Sequence, residues 1–252
     1  MYSSGVTASV LTFAGTDYNK QPANGMLARA VATSAAGFSG MGVSLKEPID
    51  PSVLAHTEIS EIEWVELSEE VDDAAERAVA LSARLGGTRL HAGVCVAHHI
   101  PWDTIVGRLH TLADTGLHVA LEPVAFGSLS SVYDVQSIVD IVDRDSVGIL
   151  YDLWHVHHES PAHRWSPPSE PGRVKAVQVC GIPAWGTVAG RRHILAASQD
   201  RPYISDSAVN VSDWVKFLRD KGVTAPLAYE NPVRGASIRD QVAHAKADLL
   251  IL

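Results

Sequence analysis

Short β-branched or apolar runs alternate with longer amphipathic segments from one end of the chain to the other, and this alternation constrains the fold more than any other feature. Strands are expected at Ala8–Phe13, Gly40–Ser44, Ile62–Leu67, Thr88–Val94, His118–Val124, Val147–Asp152, Val174–Val179 and Pro226–Glu230. Helical periodicity covers Ala23–Ala36, Ser68–Leu85, Pro101–Thr115, Ser131–Asp143, Ser212–Lys221 and Ala236–Leu249. Gly37, Gly86, Gly116 and Gly222 stand where a left-handed residue is wanted to stop a helix. Parallel strands need crossover connections. Eight near-regular units therefore favour a closed (β/α)8 TIM barrel, one domain across 252 residues, over a doubly wound open sheet. The units after the second and sixth strands look short.

Charge and composition narrow the partners. A formal net charge of −9 argues against nucleic acid or an anionic membrane, both of which demand basic surface. No apolar stretch approaches the ~20 residues that span a bilayer. The opening MYSSGVTASV lacks a basic region followed by an apolar core, and two cysteines, Cys95 and Cys180, cannot build a disulfide framework. A cytoplasmic protein acting on a small molecule is expected, with a homo-oligomer left open. The connection Gly181–Val209 far exceeds the ~2–6 residues usual between a strand and its helix. It carries Trp185, Arg191, Arg192, His193, Arg201 and Tyr203, which suit a lid that grips a polar or anionic substrate, the alternative being a solvated excursion.

Four polar residues close otherwise apolar strands at their C-terminal ends: Glu122, Asp152, Gln178 and Glu230. That end of a barrel is where the chemistry of this architecture sits. Side chains alternate along a strand, so Ala120, Leu150, Ala176 and Ala228 lie beneath the four on the same side. Three carboxylates sharing one mouth repel one another, and burying them unpaired costs several kcal/mol or more. A divalent cation compensates all three, although a single acid at a strand end is more often a helix N-cap or an ion-pair member. Oxygen-only ligation suits Mg2+ or Mn2+, with Zn2+ or Co2+ ranked lower. His155, three residues after Asp152, is placed to contact substrate or a water above the metal. His91 divides evenly between substrate contact and core packing. Glu66 reads as structural, and Cys180 shares the side of Gln178 without any sign of an activated thiolate. The run His155, His157, His158, His163 lacks a recognised zinc spacing.

These residues resemble the xylose-isomerase-like barrels, a group of sugar isomerases, epimerases, inosose dehydratases and apurinic endonucleases. The likeness runs from Gly-Phe-Ser-Gly-Met-Gly-Val at the second strand to Tyr-Glu-Asn at the eighth, and is strongest in Leu-Glu-Pro, Tyr-Asp-Leu-Trp-His and at Glu230. It implies metal ligation by Glu122, Asp152, Gln178 and Glu230, and substrate binding by His155 and Arg201. Gln178, where many members have histidine, is similar to the hydroxypyruvate isomerases and some dehydratases of cyclic ketones. The chain departs from the group at Gly42, where glutamate is usual, and in the insertion Ala184–Asp200. Pro202 replaces the histidine of the endonucleases' Asp-Arg-His, and Val124 stands where dehydroshikimate dehydratases need histidine.

Together these features predict a metal-dependent isomerase or epimerase of a small ketose or hydroxy-ketone, working through an enediolate with Glu122 and Glu230 as the proton-transfer pair. A dehydratase of a cyclic polyol ketone shares the first proton abstraction. A barrel that binds metal or sugar without turnover is the third alternative.

Overall fold

In the computed structural model, residues 5–13, 25–159, 167–184, 197, 201–233 and 235–252 are described. Eight parallel strands close on one another in chain order: β1 (Val6–Ala8), β2 (Gly40–Ser44), β3 (Glu58–Glu66), β4 (Gly86–Gly93), β5 (His118–Glu122), β6 (Val147–Asp152), β7 (Val174–Val179) and β8 (Leu227–Tyr229). β8 pairs back onto β1 through Val6–Leu227, Thr7–Ala228 and Ala8–Tyr229, which completes the barrel. The helices between them are α1 (Met26–Ala36), α2 (Asp72–Leu85), α3 (Trp102–Ala113), α4 (Val132–Val142), α5 (Leu153–His158), α6 (Val211–Asp220) and α7 (Ile238–Leu249). After β2 the connection is a 3-10 turn, Pro51–Ala55, which accounts for the short unit expected there. No helix among the described residues is long and apolar enough to cross a membrane.

The main core lies between barrel and helices, where Ile62, Leu90, Leu121, Ile149 and Val177 point outward from successive strands against Leu81, Leu109, Ile138 and Leu218. Inside the barrel, Ala120, Leu150 and Ala176 form a separate small apolar cluster. These three, expected beneath the polar strand ends, are the floor on which the mouth is built. Helix starts follow side-chain capping: Ser131, Asn210 and Ser237 accept from the backbone N–H three residues on, and Asp152 accepts from Trp154 N.

Several elements differ from expectation. β1 ends at Ala8 rather than running to Phe13; Ser9–Phe13 turn away, and Phe13 is buried against the Phe38 ring instead of pairing in the sheet. β3 starts four residues earlier than its apolar run, because Glu58 and Glu61 are strand residues despite their charge. Gly86, at φ 93° and ψ −130°, opens β4 rather than closing α2 in the left-handed helical region, as Gly37 does for α1 at φ 96° and ψ 18°. α5 was hidden by its six-residue length. The loop residues Trp185, Arg191, Arg192 and His193, like His163, lie outside the described residues.

Candidate active site

The closed strand order brings the four polar residues to the C-terminal mouth of the barrel, staggered along neighbouring strands. Asp152 pairs with Gln178 across β6 and β7, Gln178 with Ala228 across β7 and β8, and Glu122 lies opposite Gly93 across β4 and β5. Glu230 follows Tyr229 at the end of β8 and is held there by its N–H to the Val179 carbonyl. All four are buried.

A cation already sits among them. Arg201, 2% exposed, places Nη2 3.0 Å from Asp152 Oδ2 and 2.8 Å from Glu230 Oε1, while Nη1 donates to Asp152 Oδ1 at 3.2 Å. Its Nε donates to the Ala197 carbonyl at 2.7 Å, and the guanidinium lies 5.6 Å above the Trp154 ring. Asp152 thus serves two purposes, because Oδ1 also caps α5 through Trp154 N at 2.7 Å. His155 follows in that helix. Its Nδ1 accepts from Ala125 N at 3.1 Å, so in the neutral ring the proton is on Nε2, which points at Glu122 Oε1 from 3.4 Å.

The electrostatics follow from burial and neighbours. Burial raises Glu122 well above the usual carboxylate range, and the Asp152 and Glu230 charges add to this while Arg201 opposes it. Burial also works on Asp152, but Arg201, His155 and the Trp154 N–H outweigh it and hold that group below its ordinary value. Glu230 is raised by burial, with Arg201 and the Ser9 hydroxyl pulling it back. The two glutamates therefore hold protons more readily than Asp152 between them.

Above these groups opens a cleft of about 480 Å3 of empty space, its open rim included. Glu122, Gln178, Glu230, His155 and Arg201 supply its polar surface, and Trp64, Val124 and Phe126 its apolar wall. An apolar wall with a few convergent polar groups is the composition of a small-molecule site. Gln178 Oε1 is buried with no hydrogen-bond partner, so an amide oxygen faces the mouth unsatisfied. One oxygen each of Glu122 and Asp152 and a ring nitrogen of His155 lie within 4.8 Å of one another.

His91 is placed one layer lower. It is fully buried, opposite Ala120 and 3.5 Å from Glu61 Oε2, and does not line the cleft. Glu66 accepts from the Cys95 and Ser68 N–H groups, a structural use. Cys180 is buried beside Arg201, outside the cleft lining, with burial pushing its thiol up. Sequence reasoning missed Ser9, Glu63 and Trp64. Glu61 and Glu63 are two residues apart on one strand, a spacing that puts both on the inner face of a closed barrel; starting the strand at Ile62 obscured it.

A model of the xylose isomerase-like TIM barrel matches residues 32–250. The chain belongs to that family. The family includes isomerases and epimerases of small sugars. No curated protein matches the sequence. Among solved structures, a xylose isomerase-like TIM barrel/4-hydroxyphenylpyruvate dioxygenase fusion protein is 18% identical at a TM-score of 0.75; the alignment covers 98% of this chain and 42% of that one. The IolI protein with a bound zinc atom is 14% identical at 0.73, covering 98% and 96%. A D-allulose 3-epimerase from Methylomonas sp. is 14% identical at 0.65, again covering 98% and 96%. At such identities the structural likeness speaks to the fold alone.

Proposed function

We propose that this barrel is a divalent-metal-dependent isomerase or epimerase of a small ketose or hydroxy-ketone, with Glu122, Asp152, Gln178 and Glu230 as the residues that hold the metal. The observation that carries this is the unpartnered buried Gln178 Oε1 set among three buried carboxylates. An orphaned amide oxygen costs stability unless a ligand uses it, and the three acids beside it are oxygen donors that a cation would hold in their ionised form. The donor set fits a hard ion, Mg2+ or Mn2+, better than zinc, even though IolI holds zinc. The His155 Nε2 proton argues against that nitrogen as a ligand in place of Gln178. When bound, the ion supplies Lewis-acid polarisation of a substrate carbonyl.

The chain's own groups do the proton work. Glu122 and Glu230 both line the cleft, and they suit removal of a proton beside a carbonyl by one and delivery of a proton by the other. Arg201 and His155 present N–H donors to substrate oxygens from the side of Asp152. Trp64, Val124 and Phe126 give the cleft its apolar wall. Membership of a family that includes sugar isomerases and epimerases supports a small sugar as substrate class. The test is incorporation of solvent deuterium into a ketose panel, followed by proton NMR with and without Mn2+ or Mg2+. Metal-dependent exchange is expected; its absence across the panel with either ion excludes the proposed reaction.

A further inference from the structure

Glu63 enters the mouth from β3 and is 5% exposed, yet it makes no ion pair among the described residues. Its Oε1 accepts from Val10 N at 3.1 Å, and its Oε2 lies 3.4 Å from Ser9 Oγ. Ser9 Oγ in turn lies 2.9 Å from Glu230 Oε2 and accepts from Leu11 N. A hydroxyl has one hydrogen to give. The shorter contact assigns that hydrogen to Glu230, so the Glu63–Ser9 bond takes its hydrogen from the buried Glu63 carboxyl, and the serine is held between two acids.

β2 is shaped to admit this arrangement. A Cβ on Gly42 would sit 2.5 Å from Glu63 Oε1 and 2.9 Å from Val10 N. Any side chain at 42 would therefore expel the Glu63 carboxylate or shift the backbone that binds it. An apolar residue at 63 would fill this notch without the cost of burying a carboxylate, so the acid is a poor choice for a mere filler.

We propose that Glu63 is a positioning residue for Glu230, acting through Ser9: Ser9 orients the Glu230 carboxylate toward the ion, Glu63 fixes Ser9, and Gly42 makes the room. This rests on Glu230 being a metal ligand. Partners that orient ligands in this way are worth roughly 10–100-fold in metal affinity.

The test is Mn2+ titration by calorimetry of the wild type, Ser9→Ala, Glu63→Leu, Glu63→Gln and the double variant Ser9→Ala/Glu63→Leu, each checked for a cooperative thermal transition. Glu63→Met stands in if the leucine variant does not fold. Ser9→Ala and Glu63→Leu should each weaken Mn2+ about tenfold. Glu63→Gln should stay within about threefold of wild type, since its amide can accept from Val10 N and donate to Ser9 Oγ. The double variant should bind no more weakly than Ser9→Ala. Wild-type affinity in Glu63→Leu, or effects that multiply in the double variant, overturns the inference. If the wild type binds neither Mn2+ nor Mg2+, the metal assignment falls separately, and the carbon-13 resonance of the Glu230 carboxyl takes over as the readout. It should then move in Ser9→Ala and Glu63→Leu and be restored in Glu63→Gln; no movement in Glu63→Leu overturns the coupling.

Discussion

Arg201 and Asp152 face each other as a buried two-point pair, Nη1 to Oδ1 at 3.2 Å and Nη2 to Oδ2 at 3.0 Å, with Glu230 sharing the same Nη2. The guanidinium therefore carries the positive charge that the acidic mouth needs in the metal-free protein. Replacing it with the uncharged Arg201→Met should destabilise the apo protein by about 3 kcal/mol or more, because two buried carboxylates lose their partner. Added Mn2+ should raise the melting temperature of this variant by more than it raises that of the wild type. Thermal unfolding with and without the ion checks this; equal apo stability of variant and wild type would contradict it.

Gln178 should show the opposite pattern. Its Oε1 is buried without a partner, so Gln178→Leu removes an unsatisfied atom and should leave apo stability within about 1 kcal/mol or increase it. Mn2+ affinity should fall about tenfold or more if that oxygen is a ligand. Urea unfolding and calorimetric titration of the same sample separate the two effects.

Below the mouth, Glu61 gives the protein a pH dependence with a definite sign. Burial, opposed by Arg89 and reinforced by Glu230, pushes it up to about 7 from an ordinary value of 4.5. The folded state then keeps a proton that the unfolded chain releases. The stability this contributes is fully present below about pH 4.5 and is lost as pH rises through about 7. Glu61→Gln cannot titrate, so its stability relative to wild type should climb across that window and level off above it. His91, pushed down to about 3 by burial and by Arg89, has the opposite sign but is common to both proteins. Chemical unfolding of both proteins from pH 4.5 to 8 reads the difference, and a pH-independent difference refutes the assignment.

Asp248 secures the segment that follows Arg201. Fully buried on α7, it accepts from Ile204 N at 2.9 Å, Ser205 N at 3.0 Å and Tyr229 Oη at 2.6 Å. Asp248→Ala strands three donors and should cost about 2–4 kcal/mol, measured by thermal or urea unfolding. A loss under about 1 kcal/mol would mean that water or a shifted loop replaces those bonds.

The barrel was legible because its strands are buried on both faces and its helices on one, so two periodicities alternate without interruption. β2, β6 and β7 were located to the residue, and the polar residues that close β5 through β8 stood out against apolar neighbours. β3 was harder. Glu58, Glu61 and Glu63 break the apolar signal, and a barrel interior that holds charge does not read as a core strand. Ser9 was invisible for a different reason: β1 stops at Ala8, and the turn after it brings the hydroxyl to Glu230, a partner 221 residues away. His91 and Gln178 look alike in sequence, each a polar residue near the end of a strand, yet they fall in different layers. Only the register of β4 against β5, which pairs His91 with Ala120 rather than with Glu122, separates them.

The most direct measurement is anomalous diffraction from crystals soaked with Mn2+. A single peak is expected at about 2.1 Å, the scale of a hard-ion bond, from oxygens of Glu122, Asp152, Gln178 and Glu230, with Arg201 moved off one of its carboxylates. No peak in the mouth, with Arg201 still bridging Asp152 and Glu230, or a peak that takes His155 Nε2 in place of Gln178, would contradict the proposed centre.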